Sequence, residues 1–524
     1  MSKIQILDCT LRDGGYVNCF HFGEKGIQKI IAQLTSANID IIECGFLEDG
    51  NNNPEYSLYT TVEQIAKILP AQRSKNTMYV AMACFGEYDL SQLLAYDGTS
   101  IEGIRVTFHY NEVEDALDYC RQIQAKGYKV FVQPVGTTSY TDEQLLWLIH
   151  KVNELRPYAF YLVDTLGLMH QHDVLRFFYL IDHNLAEGIH MGFHSHNNLQ
   201  LSYSNCQCLA SVETDRVISL DSSVNGMGRG AGNLNTELIA NYLNIKERRY
   251  EIEPILEVVD EFILRIRQDN EWGYSVPYYL AAINGCHPNY ASYLSGKQTL
   301  NVKSIGTILR MIETEKRSLF DKKLVEEKYR EFQAHEVDDS EAISFLRKKM
   351  QGRSIMLVAP GPSLNEYQEE ILKTVREQNC LVVSATFVPD FLECDFVFLS
   401  NLKRYNTTFN PKKKVVNLIH TSNIEVAELD SVKVNYSSLL NEENVVMDNS
   451  SLMLLNLLAK LKTKQVFLAG MDGYKTDASN YAEARLVLNQ SRENAEVINK
   501  AMRTRIAELR KSLNLSFITP TLYD

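Results

Sequence analysis

Ile4-Gln5-Ile6-Leu7-Asp8-Cys9-Thr10-Leu11-Arg12-Asp13-Gly14-Gly15 opens as an apolar strand and runs straight into an Arg-Asp pair and a glycine turn. Seven more short β-rich runs follow, at Ile39–Ile42, Met78–Ala81, Ile104–Thr107, Val130–Gln133, Phe160–Val163, His190–Phe193 and Arg216–Ser219. Amphipathic stretches separate them; the one from Asn111 to Gly127 closes on a glycine, as a helix does. Eight β/α units of this size predict a closed (β/α)8 TIM barrel over residues 1–250. An open doubly wound sheet is the rival reading, but the even spacing favours closure.

A barrel gathers its chemistry at the carboxyl ends of its strands. Those ends carry Arg12 and Asp13, Glu43, His109, Gln133, Asp164 and Thr165, His194 and His196, and the run Asp221–Gly226. In a strand, residues i and i+2 face the same side, so His194 and His196 can grip one ion, with Asp13 as a hard oxygen ligand from another strand end. Arg12 is cationic at any working pH and suits an enolate oxygen or a carboxylate. Taken singly these signals are ordinary: His-x-His is usually a surface or packing pair and Arg-Asp a local salt bridge. Ser222 and Asp164 read as caps of the following helices. Agreement among several strand ends gives the pattern its weight.

After residue 250 the alternation stops. Residues 251–350 read as a helical extension and linker, dense in Lys and Glu from 313 onward. Residues 351–524 begin a new α/β unit at Ser354–Val358, with further strands at Cys380–Val383, Phe396–Leu399 and Gln465–Gly470, predicting a doubly wound, Rossmann-like domain. Its turn Ala359-Pro360-Gly361-Pro362-Ser363-Leu364 is of a kind that binds phosphate on free backbone amides, although a structural turn is an equal reading. The net charge of −13 argues against nucleic-acid polymers and anionic membranes. No apolar run is long enough to span a bilayer. Scattered cysteines without a C-x-x-C framework, and a start that goes directly into a strand, predict a cytoplasmic protein with reduced thiols.

Leu11-Arg12-Asp13-Gly14, Glu43, Asp164-Thr165-Leu166-Gly167, Gly192–Asn197 and Gly230-Ala231-Gly232-Asn233 resemble the DRE-TIM metallolyases related to hydroxymethylglutaryl-CoA lyase. Arg105-Val106-Thr107-Phe108-His109 looks most like the 4-hydroxy-2-oxovalerate aldolase branch. The resemblance covers roughly residues 3–290 and implies a carbon–carbon lyase of the class II aldolase type, working through a metal-bound, pyruvate-type enolate. It implies a divalent Mn, Mg, Co or Zn ion on Asp13, His194 and His196, with Asn233 as a fourth ligand in some members. Arg12 would stabilise the enolate, Glu43 orient the neighbouring groups, and Thr165, with His109 and Gln133, contact a 2-oxo acid whose partner is an aldehyde or ketone. Tyr16 stands where that branch often has a basic histidine, so Tyr16, His21, His287 and Tyr290 all remain candidates for proton transfer. The loop Gly226-Met227-Gly228-Arg229-Gly230 lacks the cysteine of the CoA-thioester lyases. Barrels of this family commonly form dimers or larger assemblies.

Ala359–Leu364, Asn449-Ser450-Ser451-Leu452 and Phe467–Tyr474 resemble bacterial sialyltransferase-like and related nucleotide-binding domains. That resemblance implies a nucleotide or nucleotide sugar near Gly361, Ser363, Ser450, Ser451 and Asp472, and a link to polysaccharide biosynthesis. Two alternatives stand beside the aldolase: a Claisen-type acyl-CoA synthase, and a glycan-assembly protein acting through its C-terminal domain.

Overall fold

Eight parallel strands close on themselves in the computed structural model, which describes residues 3–50, 52–408, 417–425, 431–476, 479–487 and 494–524. They are β1 (Ile4–Asp8), β2 (Ile41–Leu47), β3 (Met78–Cys84), β4 (Gly103–Phe108), β5 (Lys129–Pro134), β6 (Ala159–Asp164), β7 (His190–Ser195) and β8 (Ile218–Ser222). Each pairs in parallel with its successor, and β8 pairs with β1, so no edge remains. A two-residue strand, Leu58–Tyr59, adds to the end of β2.

The outer layer follows from amphipathic helices with defined ends. In Asp142–Leu155, Thr141 caps the Gln144 amide, Leu145, Leu148, Ile149, Val152 and Leu155 are buried, and Arg156 ends the helix in the left-handed region. Inside the barrel, Leu7, Ile41, Val80, Phe131, Ala159 and Tyr161 pack as a separate apolar cluster. The next inward positions toward the carboxyl ends are polar or charged, including Glu43, Arg105, His194 and Asp221, all buried.

Three boundaries differ from the sequence reading for identifiable reasons. β2 begins at Ile41 because the Asp40 carboxylate turns away to accept from the Ile6 amide and Arg249. β8 begins at Ile218 because Arg216 donates to the carbonyls of Asp182, Leu185, Ala186 and Ile189, at the end of the helix Gln171–Asn184 and in the loop that leads from it to β7. The helix expected from Asn111 begins at Val113, after a short turn in which the Glu112 carboxylate accepts from the His109 amide.

The chain divides into two compact units, Met1–Ser292 with Glu313–Phe320, and Tyr293–Ile312 with Asp321–Asp524. The second holds a parallel sheet of β9 (Ser354–Val358), β10 (Leu381–Ala385), β11 (Phe396–Leu399), β12 (Asn417–Thr421), β13 (Val432–Val434), β14 (Gln465–Ala469) and β15 (Leu515–Phe517). Its order is β13-β12-β11-β10-β9-β14-β15, so the winding reverses between β9 and β14. Ile355 and Leu357 pack on one face with Leu452–Leu455 and Ile506; Met356 and Val358 pack on the other with Leu364 and Ile371. The short strands β12, β13 and β15 were not legible in the sequence. The Lys/Glu-dense stretch expected to be a solvated helical linker is helical over Lys322–Ala334 and Ser340–Met350, and each helix buries one face through Leu324, Val325 and Tyr329 or Leu346 and Met350. Among the described residues no helix is long and apolar enough to cross a membrane.

Candidate functional site

Asp13, His194 and His196 converge at the carboxyl end of the barrel, each offering a ligand atom within 4.8 Å of the others, and all three are buried. Strand alternation brings Gly192 and His194 to the inner face of β7, and His196 follows two residues on. Only glycine fits at 192, since a Cβ there would lie 2.2 Å from the Tyr161 ring. Asp13 is delivered by a tight turn after β1, in which the amides of Arg12 and Asp13 both donate to the Cys9 carbonyl.

A chain of alternating charge joins one member of this triad to another. Arg12 donates through Nη1 to Asp13 Oδ1 (2.6 Å) and through Nε to Glu43 Oε2 (2.8 Å). The same Glu43 oxygen forms an ion pair with Arg105 Nη1 at 2.8 Å. Arg105 Nη2 donates to Asp221 Oδ2, which lies 2.9 Å from His194 Nδ1. Asp221 therefore holds the proton on Nδ1 and leaves the His194 Nε2 lone pair for a ligand. Burial alone would raise the Asp13 carboxyl, but Arg12, His196, His194 and Arg229 hold it well below the usual carboxylate range. Burial, opposed by Asp13 and reinforced by His194 and Arg229, lowers His196 to about 3. His196 is then neutral at physiological pH, as a metal ligand must be.

Asn233 borders the cluster, in a backbone bridge with His196. Its Nδ2 donates to Asp13 Oδ2 (2.7 Å) and the Met227 carbonyl (3.1 Å), while its buried Oδ1 has no partner. A carboxylate, two imidazoles and an orphaned amide oxygen form a donor set suited to a divalent cation. Gly228 leaves room for this arrangement, because a Cβ there would lie 2.5 Å from Asn233 Nδ2 and 3.1 Å from Asp13 Oδ2. Gly228→Ala should therefore weaken divalent-ion binding about 10- to 100-fold in a calorimetric titration. Unchanged affinity would remove Asn233 from the site.

The other expected residues separate into groups. Arg12 and Glu43 belong to the charge chain, and Arg12 Nη2 and Glu43 Oε1 are buried without partners. Gln133, at the end of β5, is buried with its amide oxygen unpartnered, and the Thr165 hydroxyl accepts from the Gly136 amide at 2.9 Å. His109 is exposed at the barrel rim, where it precedes a capping turn. His21 is exposed and packs on Tyr56. Asp164 does not cap the following helix, whose N-cap is His170; its carboxylate instead closes the loop after β6, accepting from the Leu168 and Met169 amides.

The remaining proton-transfer candidates differ in what they present. The Tyr290 hydroxyl is fully buried and engaged with the carbonyls of Lys316 and Leu319. Burial and Arg229 lower His287 to about 4. Its Nδ1 accepts from the Asn289 amide at 3.2 Å, so the neutral ring carries its proton on Nε2. Tyr16 lies beneath Arg229, whose guanidinium carbon is 3.9 Å from the ring centroid. Burial raises the Tyr16 phenol. Sequence reasoning gave no role to Arg105, Asp221 or Arg229. The available signals were an arginine inside an apolar strand, an aspartate at a strand end, and an arginine within a glycine loop.

In the second unit, the turn after β9 is closed by its own chain. Asp472 accepts from the Ser363 amide (2.7 Å) and hydroxyl, and a Cβ on Gly361 would strike the Gly470 carbonyl. Asn449 likewise accepts from the Ser451 and Leu452 amides, and Ser450 pairs with Ser400. A carboxylate occupies the amide at Ser363 that was expected to receive a phosphate. Elsewhere in this unit a cavity of about 250 Å³ is lined by Lys297, Glu326, Tyr329, Arg330, Tyr436 and Asp448. Lys297 and Arg330 both pair with Glu326, and Asp448 accepts from the Tyr329 hydroxyl.

Residues 3–260 match the HMGL-like family. An oxaloacetate decarboxylase from Mycobacterium tuberculosis is 26% identical over 239 residues, covering 45% of this chain and 68% of that one. A 4-hydroxy-2-oxovalerate aldolase from Carboxydothermus hydrogenoformans is 26% identical over 267 residues, covering 50% and 77%. The HMG-CoA lyase structure from Brucella melitensis overlaps 51% of this chain and 100% of that one, with a TM-score of 0.40 and 14% identity. The likeness of this chain to the HMGL-like family thus lies in residues 3–260, the part that forms the barrel and its site.

Proposed function

We propose that the barrel makes or cleaves the carbon–carbon bond beside the carbonyl of a 2-oxo acid, through a pyruvate-type enolate. One observation carries this reading: the Asp13, His194 and His196 triad lies beside an arginine, Arg12, whose Nη2 is buried with no partner. A divalent cation held by Asp13, His194, His196 and Asn233 Oδ1 would supply Lewis-acid polarisation of the substrate carbonyl.

The chain's own groups do the rest. Arg12 is fixed at Nε and Nη1 by Glu43 and Asp13, so Nη2 is pre-aimed to donate to the oxygen on which negative charge develops. Thr165 and Gln133 orient the substrate carboxylate. His287 Nε2–H and the Tyr16 hydroxyl are both proton donors, which suits protonation of an aldehyde oxygen as a bond forms.

Exchange of the pyruvate methyl protons with heavy water, followed by NMR, tests the half-reaction without knowledge of the second substrate. Mn-loaded protein should catalyse it, and exhaustive chelation should abolish it. Exchange that survives chelation would defeat the reading. His194→Ala should lower ion affinity at least about 100-fold.

A further inference from the structure

Arg12 and Arg105, the two fully buried arginines of the barrel mouth, are each pinned by two carboxylates. Arg229 is different. It projects from the glycine loop between β8 and the helix Thr236–Asn244, in which Gly226, Gly230 and Gly232 all take positive φ and the Gly232 amide closes on the Arg229 carbonyl. The side chain is half-buried and braced on the Tyr16 ring. Among the described residues no carboxylate forms an ion pair with it. It is nevertheless close enough to act electrostatically on Asp13, His196 and His287. A partly desolvated guanidinium without a counter-ion, at the edge of a site, is a receptor for an anion.

The aromatic packing separates this receptor from the first one. The Arg12 guanidinium lies 5.9 Å from the Phe46 centroid, Phe46 lies 5.9 Å from Tyr16, and Tyr16 carries Arg229. Two cations thus flank a pair of rings, Arg12 on the Phe46 side and Arg229 over Tyr16. A single pyruvate-type enolate needs only the first.

We propose that Arg229 receives a carboxylate on the electrophile, so that the second substrate is an oxo acid of the glyoxylate type rather than a neutral aldehyde. The inference rests on the enolate reading above. In the cleavage direction a 4-hydroxy-2-oxo diacid loses its hydroxyl proton, C4 becomes a carbonyl, and the C3–C4 bond breaks with its electron pair left on C3. C3 then takes up a proton, giving pyruvate and the carboxylated aldehyde, with no change of redox state. Arg229 holds the carboxylate on C4 throughout, and its planar fork matches that group in a bidentate manner.

The test compares kcat/KM of the Mn-loaded full chain for 4-hydroxy-2-oxoglutarate and 4-hydroxy-2-oxovalerate, which differ in the group on C4. The wild type should prefer the diacid by about 10- to 100-fold. Arg229→Met should bring the ratio close to unity, and Arg229→Lys, which keeps the charge but not the fork, should fall between. A wild-type ratio at or below one would overturn the assignment without recourse to any variant. A ratio preserved in Arg229→Met would overturn it as well. So would a rise in the KM for pyruvate in the exchange reaction that equals the loss on the diacid, since Arg229 would then hold the pyruvate carboxylate. Absence of pyruvate exchange in the wild type would instead sink the enolate reading, and the choice of electrophile with it.

Discussion

Arg12→Ala should slow pyruvate methyl exchange by about 10²- to 10³-fold, the usual loss on removing one pre-aimed donor from a developing oxyanion. The ion content of the purified variant should nevertheless remain close to that of the wild type. Asp13 keeps the Asn233 amide as a donor, and His194 is oriented by Asp221, so the ligand geometry does not hinge on Arg12 alone. The effect should fall on kcat more than on KM, because the Nη2 contact is strongest when charge has accumulated. Elemental analysis and exchange NMR on the same preparation check both halves. If the ion is lost together with activity, Arg12 acts as structural support for Asp13 and the assignment of its guanidinium to the enolate fails.

Arg105→Met should produce the largest loss of stability in the barrel, about 3–5 kcal/mol. Arg105 is fully buried and is the cation that bridges Glu43 and Asp221; without it, two buried carboxylates lose a partner in low dielectric. The Tyr161 ring, 4.7 Å from its guanidinium carbon, loses its contact too. A control is Arg121→Met, which breaks the exposed pair with Asp118 and should cost less than about 1 kcal/mol. Denaturant midpoints followed by fluorescence compare the two. Equal losses would mean that the charge chain contributes little to folding. Asp221 also positions His194, so ion affinity in Arg105→Met should fall alongside stability.

The barrel was legible because each strand is a short β-branched or apolar run and the amphipathic stretches between them recur at even spacing, and that pattern is local. The triad was legible for the same reason: His194 and His196 are two residues apart, and Asp13 lies in the turn that follows a strand. The charge chain was not legible, because Glu43, Arg105 and Asp221 come from three strands and meet only when the sheet closes. Arg105 lies 116 residues from Asp221, and nothing near it announces a partner. The choice among proton-transfer candidates was hidden in hydrogen bonds of the same long-range kind, such as that of Tyr290 to Leu319. The turn at Gly361 was readable as a turn, but the group that fills it, Asp472, arrives 109 residues after Ser363.

The path of the chain between its two compact units has a practical consequence. The polypeptide leaves the barrel unit after Ser292, returns for Glu313–Phe320, and leaves again. That returning octapeptide supplies the carbonyls that hold Tyr290 and the carbonyl of Arg317 that receives the His287 amide. No single cut therefore yields the whole barrel-containing unit: truncation at 292 or 312 discards its last piece, and truncation at 320 drags along a segment native to the other unit. The halves cannot be exchanged between homologues through one recombination joint, and a graft or split-protein design must move 313–320 with the barrel.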